Sequence, residues 1–301
     1  MADVQVYPDA NSLARAAAEY FVTLAAEAIT ARGRFVVALS GGSTPRATYT
    51  LLASREFAPR VDWSCVHVFW GDERCVLPGH PDSNYRLARE VLLDKIPIPA
   101  DNIHRIRGEL DPDQAAVAYQ AELETVLGAD GRFASRSQPP PRGRLGPRSQ
   151  PTSRGRLDLI LLGMGADGHT ASLFPGTAAI HEQTRWVVAH YVEKLGAWRV
   201  TLTPVVINGA AHVTFIVAGR GKAERLREVL AGPYQPDVLP AQIVRPADGR
   251  LRWLVDAAAA TQWRKNVQPP GKRNQPLLAP ARQQSGRLVS LGRGSAAKSA
   301  G

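Results

Sequence analysis

Residues 157–176, LDLILLGMGADGHTASLFPG, constrain the fold of this chain more than any other segment. The first six residues are apolar except for Asp158, and glycines at 163 and 165 follow the run. A strand that is apolar on both faces is typical of a parallel sheet covered by helices. In such sheets, ligands bind beyond the carboxyl ends of the strands. We therefore expect the polar residues after the glycines to lie at a ligand-binding edge.

Asp167 and His169 are those polar residues. They are two positions apart on a turn that glycine frees, and this arrangement suits proton transfer at the edge of the sheet. The alternative is that Asp167 caps a helix and that His169 is an ordinary surface histidine. The segment by itself does not decide between these two interpretations.

The rest of the chain alternates short apolar runs with helical patterns. A helix capped by Asn11 or Ser12 and ended by Gly33 shows the 3.6-residue period of one buried face. Strands are expected at 4–7, 35–39, 65–70, 157–163, 186–189, 213–218 and 251–255. Further helices are expected from the turn at 40–45 through residue 52 and at 83–93, 111–127, 204–211 and 221–230. This alternation predicts an α/β fold with a doubly wound, mostly parallel sheet in a single domain over residues 1–263.

The turn SGGSTP at 40–45 predicts an anion site. Gly41 and Gly42 let the backbone approach a ligand closely, and Ser43 and Thr44 offer hydroxyls that cap the next helix, with Pro45 at its first position. The unpaired N–H groups of that first turn, together with the helix dipole, attract a phosphate. The loop lacks the GxxxxGK[ST] pattern of a Walker A motif. A well-capped helix without a ligand is the alternative.

Two more polar turns follow predicted strands and therefore face the same edge. GDER at 71–74 brings Asp72, Glu73 and Arg74, which are suited to bind hydroxyl groups and a developing oxyanion. The alternative is a salt-bridged turn. GRGK at 219–222 brings Lys222 to the start of a predicted helix, where it either reaches a phosphate or is solvated.

The net charge of +10 resides in two segments. Residues 132–156 hold seven arginines and no acid, and residues 264–301 hold eight lysines or arginines and no acid. These segments together carry +15, which leaves −5 on the rest of the chain. A tandem repeat with a period of twelve fills much of 134–156, which we expect to be a disordered basic insertion, and 264–301 to be a disordered basic C-terminal tail. No nucleic-acid-binding motif accompanies this charge.

Other function classes lack their signatures. The first residues show no secretory signal, no stretch is long and apolar enough to span a membrane, and the two cysteines suit a reducing cytoplasm. The seven histidines show no metal-binding spacing, and no G-x-S-x-G elbow is present. G-x-G-x-x-G fits residues 163–168, but a dinucleotide motif belongs at the first strand of its unit. We therefore expect no metal and a cytoplasmic protein.

Five strings together resemble the glucosamine-6-phosphate isomerase/6-phosphogluconolactonase family, in the order that this family shows. They are LSGGSTPR at 39–46, FWGDERCV at 69–76, HPDSNYRLA at 80–88, LLGMGADGHTASLFPG at 161–176 and VAGRGKAE at 217–224. The likeness covers residues 4–256 apart from the insertion. It implies the NagB/RpiA/CoA-transferase-like type of α/β fold, a catalytic domain, and hydrolysis of 6-phospho-D-glucono-1,5-lactone to 6-phosphogluconate without a cofactor.

The resemblance and the local chemistry together assign roles. His169 is expected to be the general base, Asp167 to orient it, and Arg74 to stabilise the oxyanion or the carboxylate product. The residues expected to bind the sugar phosphate lactone, mainly through its phosphate, are Gly41, Gly42, Ser43, Thr44, Arg46, Asp72 and Lys222. Arg46 comes one residue after Pro45, where its side chain either joins this set or points along the helix into solvent.

Two alternatives stay open at this point. One is a glucosamine-6-phosphate deaminase or another sugar-phosphate isomerase on the same fold. The resembling deaminases carry a Tyr where Arg74 stands and an acidic residue beyond the His, where this chain has residues 172–175, SLFP. The other is a sugar-phosphate sensor without turnover. We expect a monomer, with a weak homodimer as the alternative, and neither nucleic acid nor membrane as a partner.

Overall fold

A parallel sheet forms the centre of the molecule. The computed structural model describes residues 3–128 and 155–263. The strands of this main sheet are Asp3–Tyr7 (β1), Phe35–Leu39 (β2), Val66–Trp70 (β3), Leu159–Leu162 (β5), His212–Val217 (β8) and Arg250–Asp256 (β9). They lie in the order β1-β9-β8-β5-β2-β3, and every neighbouring pair is parallel. This confirms the predicted α/β sheet.

Helices follow most of these strands along the chain. They are Ala10–Arg32 (α1), Ser43–Leu52 (α2), Asn84–Val91 (α3), Pro112–Leu127 (α4), Pro204–Gly209 (α5) and Ala223–Ala231 (α6). All residues of β2 and β5 are buried, as their unbroken apolar sequences require. Because β8, β5 and β2 are parallel neighbours, their carboxyl ends meet at one edge.

A second, three-stranded sheet was not predicted. Asp72–Arg74 (β4), Val187–Val192 (β6) and Ala197–Leu202 (β7) form it in the order β4-β7-β6, and both pairs are antiparallel. The prediction of a turn at 71–74 is therefore wrong. Three residues carry too little periodicity to mark a strand, and β4 exists because β7 pairs with it from more than a hundred residues away.

Helix starts differ in detail from the sequence expectations. The N-cap of α1 is Asp9, whose side chain accepts from the Ser12 backbone N–H at 2.8 Å, and not Asn11 or Ser12. The N-cap of α2 is Gly42 with φ of 106° and no side-chain cap, so Ser43 lies inside the helix. The carboxylate that caps α1 lies further upstream than predicted, and no side chain caps the first turn of α2.

Ser83 and Asp111, the first residues of the helical ranges expected at 83–93 and 111–127, are N-caps. The Ser83 hydroxyl accepts from the Arg86 N–H, and Asp111 accepts from the N–H groups of Asp113 and Gln114. The described residues all fall in one compact unit. The insertion expected at 134–156 lies almost entirely outside the described residues, and the tail expected at 264–301 lies wholly outside them. The boundary of a single catalytic domain at 263 stays a prediction.

Candidate active site

A cavity of about 450 Å³ opens at the edge where β2, β5 and β8 end. Most of the predicted site residues line it: Gly41, Gly42, Ser43, Thr44, Asp72, Arg74, Asp167, His169 and Lys222. Arg46 is exposed on α2 and is not part of this lining. The topology of the sheet thus brings into one cavity four chain segments that the sequence placed only along the same edge.

Asp167 and His169 form a hydrogen-bonded pair. The Asp167 Oδ1 lies 2.5 Å from the His169 Nδ1 and also accepts from the His169 backbone N–H at 3.3 Å. An ionised carboxylate at Nδ1 requires the proton on that nitrogen, which leaves Nε2 as the acceptor. The His169 ring stacks on Phe174, with centroids 4.3 Å apart. The imidazole therefore has a defined tautomer and a restricted orientation.

Two glycines make room for this pair. A Cβ on Gly165 would lie 2.0 Å from the His169 Nδ1 and 2.5 Å from the Asp167 Oδ1. Gly168 has φ of 84°, in the left-handed region that favours glycine. The GMGADGH string thus serves to fold a tight turn under the imidazole rather than to bind a dinucleotide.

Lys194 reaches the same carboxylate from the second sheet. Its Nζ donates to the Asp167 Oδ2 at 2.9 Å. Burial raises the pKa of Asp167, but the hydrogen bonds from Lys194 and His169 outweigh burial and hold that pKa well below its ordinary value. Asp167 is therefore ionised at neutral pH. Sequence analysis missed Lys194, because no local pattern ties a lysine in the β6–β7 turn to a carboxylate 27 residues away.

The loop predicted to bind an anion lies at the start of α2. Gly42, Ser43 and Thr44 line the cavity there, and the N–H groups of the first helical turn have no partners within the helix. Gly41 packs so closely against Asn84 that a Cβ would lie 1.8 Å from its Oδ1. Lys222 lines the same cavity, where burial lowers its pKa and Asp167 opposes that effect. A cation and free N–H groups thus share one cavity.

Arg74 and Arg199 add two guanidinium groups. They are register partners on β4 and β7, and both line the cavity. Burial lowers the pKa of Arg199, and the charge of Arg74 adds to this effect. Like charges opposite one another destabilise a strand pair, so an anion between them is favourable. Arg199 was not predicted, because its place beside Arg74 depends on the pairing of β4 with β7.

The two carboxylates of β4 have different roles. The Glu73 carboxylate is buried and accepts from the Ser83 hydroxyl and from the backbone N–H groups of Asn84 and Tyr85, so it anchors the start of α3. The Asp72 carboxylate lines the cavity and accepts from the Ser172 hydroxyl at 2.6 Å. Of this pair, only Asp72 is placed to meet a ligand.

Within residues 3–128 and 155–263, no group of three or more His, Cys, Asp or Glu side chains is placed to hold a metal ion. Within the same ranges, no helix has both the length and the apolar character needed to cross a bilayer.

Comparison with known proteins gives a consistent result. A family model described as glucosamine-6-phosphate isomerases/6-phosphogluconolactonase matches residues 8–253. The 6-phosphogluconolactonase of Nostoc sp. is 39% identical over 261 residues, which cover 86% of this chain and 97% of that protein. The 6-phosphogluconolactonase of Synechocystis sp. is 41% identical over 240 residues, covering 79% of this chain and 88% of that protein.

Solved structures agree with these sequence matches. The 6-phosphogluconolactonase structure from Trypanosoma brucei superposes with a TM-score of 0.71 at 28% identity, covering 87% of this chain and 98% of that one. The family match spans most of the chain and includes every segment that lines the cavity. The chain therefore belongs to the glucosamine-6-phosphate isomerase/6-phosphogluconolactonase family.

Proposed function

We propose that this chain hydrolyses 6-phospho-D-glucono-1,5-lactone to 6-phospho-D-gluconate, the second step of the oxidative pentose phosphate pathway. The observation that carries the proposal is the Asp167–His169 pair at 2.5 Å, in the same cavity as the start of α2 and Lys222. A base and an anion site in one cavity match a substrate that carries both a reactive carbonyl and a phosphate. Relatives named 6-phosphogluconolactonase support this assignment.

The reaction needs one base and one oxyanion donor, because a δ-lactone is already an activated ester. The His169 Nε2 accepts a proton from the water that attacks the C1 carbonyl. Arg74 stabilises the oxyanion of the tetrahedral intermediate. When the bond between C1 and the ring oxygen breaks, the imidazolium returns its proton to that oxygen, which becomes the C5 hydroxyl. Asp167 stays ionised and stabilises the imidazolium between these transfers.

The phosphate holds the lactone in place without taking part in the reaction. The free N–H groups at Gly42, Ser43 and Thr44 and the ammonium of Lys222 are its proposed ligands. Gly41 shapes the loop, and Asp72 accepts from a sugar hydroxyl. Fixing the non-reacting end lowers the entropic cost of bringing the carbonyl to the base.

A coupled assay tests the function directly. The lactone is made in situ by enzymatic oxidation of the aldose 6-phosphate, and acid release is followed above the spontaneous rate. We expect catalysed acid release from the full chain. Ammonia release from glucosamine 6-phosphate would identify a deaminase instead, and tight binding of 6-phosphogluconate without turnover would identify a sensor.

We also propose a cytoplasmic monomer that needs no cofactor and binds neither nucleic acid nor membrane. Both cysteines are free, as a reducing compartment favours. The charge of −5 outside the two basic segments argues against a nucleic-acid-binding domain. Light scattering of the purified protein tests the oligomeric state, and a mass of two chains would contradict the monomer.

A further inference from the structure

Lys194 lies beside the carboxylate that is hydrogen-bonded to His169. It lies in the turn Glu193–Leu195 between β6 and β7, and Gly196 ends that turn with φ of 59°. The Asp167 Oδ1 is taken by His169, and the Oδ2 accepts from the Lys194 Nζ at 2.9 Å. The Lys194 side chain is 69% exposed and lines the cavity. The Asp167 carboxylate thus bridges the His169 imidazole and the solvent-exposed ammonium of Lys194.

We propose that Lys194 is a positioning residue that sets the proton affinity of His169 through Asp167. The inference rests on the proposed function, in which His169 is the general base. By holding Oδ2, Lys194 prevents the carboxylate from rotating away from the imidazole. It also neutralises part of the negative charge that would otherwise favour the imidazolium.

Other charged groups also face the pair from the elements packed around it. Arg225 on α6 donates to the Ala166 carbonyl at 3.2 Å and pairs with Glu228, while Lys222 approaches from the turn before α6. The second sheet contributes further charged side chains to the same cavity, namely Asp72, Arg74 and Arg199. Within the described part of the chain, Lys194 is the one lysine or arginine whose side chain bonds to the Asp167 carboxylate. Its effect is therefore separable from theirs by substitution.

The test uses three variants of the full chain. Lys194→Gln removes the charge and keeps a donor, Lys194→Arg keeps the charge, and Lys95→Gln removes a charge from an exposed lysine outside the cavity. The titration of His169 is followed by NMR of 15N-labelled imidazoles, with the His169→Asn spectrum assigning its signal. The pH dependence of kcat/KM is measured on the same proteins.

We expect Lys194→Gln to move the His169 titration midpoint and the acid limb of kcat/KM upward by about half a pH unit. Removing a positive charge makes the imidazolium easier to form, so activity is lost at mildly acidic pH and kept at high pH. Because Lys194 is exposed, high salt should shrink the difference. Lys194→Arg and Lys95→Gln should titrate like the original protein, a result that a general loss of folding would not produce.

Three results would overturn the inference. One is an unchanged His169 titration in Lys194→Gln. A second is an equal shift in Lys95→Gln. The third is a rise in KM at every pH without any shift of the limb, which would make Lys194 a substrate ligand instead. The NMR titration needs no turnover, so absence of lactone hydrolysis by the original protein would refute the proposed function without deciding this inference. If Lys194→Gln does not fold, Lys194→Met replaces it in the same measurements.

Discussion

At the scale of single residues, the orientation of the His169 ring depends on the groups packed around it. Gly165 places bare backbone against the His169 ring, where any side chain would collide with Nδ1. Phe174 covers the ring on another side, and the Asp167 carboxylate accepts a hydrogen bond from the His169 Nδ1–H. Because Nδ1 is hydrogen-bonded to Asp167 and the ring is held by these contacts, Nε2 is the nitrogen available to accept a proton.

We expect His169→Asn to lower kcat about 10²–10⁴-fold, because general-base catalysis is lost while the cavity is kept. Binding of 6-phosphogluconate, measured by calorimetry, should persist. His181→Asn is the matched control, since this exposed imidazole pairs with Asp237 and does not line the cavity. Near-normal turnover of His169→Asn would exclude it as the base.

Lys222→Ala tests the phosphate site. We expect it to lower kcat/KM for the phosphorylated lactone. The corresponding loss of transition-state stabilisation should be about 1.5–3 kcal/mol, the contribution of one charge-assisted contact. Hydrolysis of unphosphorylated gluconolactone should change little. Lys95→Ala serves as the control for the lost charge. Equal losses on both lactones would place the phosphate elsewhere.

At the scale of elements, two buried tyrosines hold the strand ends that border the site. The Tyr49 hydroxyl on α2 accepts from the Ser40 N–H at 2.9 Å and donates to the Ser40 carbonyl at 2.8 Å. The Tyr119 hydroxyl on α4 does the same for Trp70, at 2.6 and 2.8 Å. At the end of each strand, the phenol hydroxyl pairs with backbone N–H and C=O groups that would otherwise lack a partner. The loops that follow therefore start from fixed positions.

We expect Tyr49→Phe to lower the free energy of unfolding by about 1–3 kcal/mol, because two buried backbone groups at Ser40 lose their partner. Ser40 is the first residue of the loop at 40–45 that is proposed to bind the phosphate, so KM for the phosphorylated lactone should rise as well. Urea unfolding and steady-state kinetics provide the measurements. Tyr234→Phe, at a tyrosine that is 51% exposed, is the control. Equal stability of the two variants would show that water replaces the phenol at no cost.

At the scale of the whole molecule, positive charge is concentrated in two segments of the chain. These segments, 132–156 and 264–301, carry +15, while the remainder carries −5. None of the residues that line the cavity belongs to either segment. The basic character of the chain is therefore a property of these segments and not of the site.

Deleting 136–154 and 265–301 should leave kcat and KM nearly unchanged, because insertions and termini outside the core are usually tolerated. The shortened protein should bind an anion-exchange column at neutral pH, and the full chain should bind a cation-exchange column. Deleting 136–154 alone distinguishes the effect of the insertion from that of the tail. A large rise in KM on that deletion would contradict the prediction, because it would show that the insertion contributes to the site.

Burial of three histidines links stability to pH. Burial lowers the pKa of His67, His190 and His212, so at mildly acidic pH the unfolded chain binds more protons than the folded one. Their contribution to stability is present above the ordinary histidine pKa of about 6.5 and is lost as pH falls below it. We expect the free energy of unfolding to fall between pH 7 and pH 5.5, and His67→Gln to flatten this slope. An identical slope in His67→Gln would contradict the prediction.

The parallel sheet, most of its strands and the edge where the cavity lies were predictable from the amino-acid sequence. Those features depend on unbroken apolar runs such as Phe35–Leu39 and on the glycines that follow them, which are neighbours along the chain. The sequence also put Asp167 and His169 two positions apart on one glycine turn but left their pairing open, and the structure shows them hydrogen-bonded.

The second sheet and the residues that it brings to the cavity could not be predicted, because they depend on contacts between distant parts of the chain. Asp72 pairs with Thr201, and Arg74 with Arg199, across more than a hundred residues. Lys194 reaches Asp167 from a turn whose own sequence shows no ligand pattern. Such contacts depend on how separate elements pack, and the free energy that orders them comes from burial spread over the whole core rather than from a local signal.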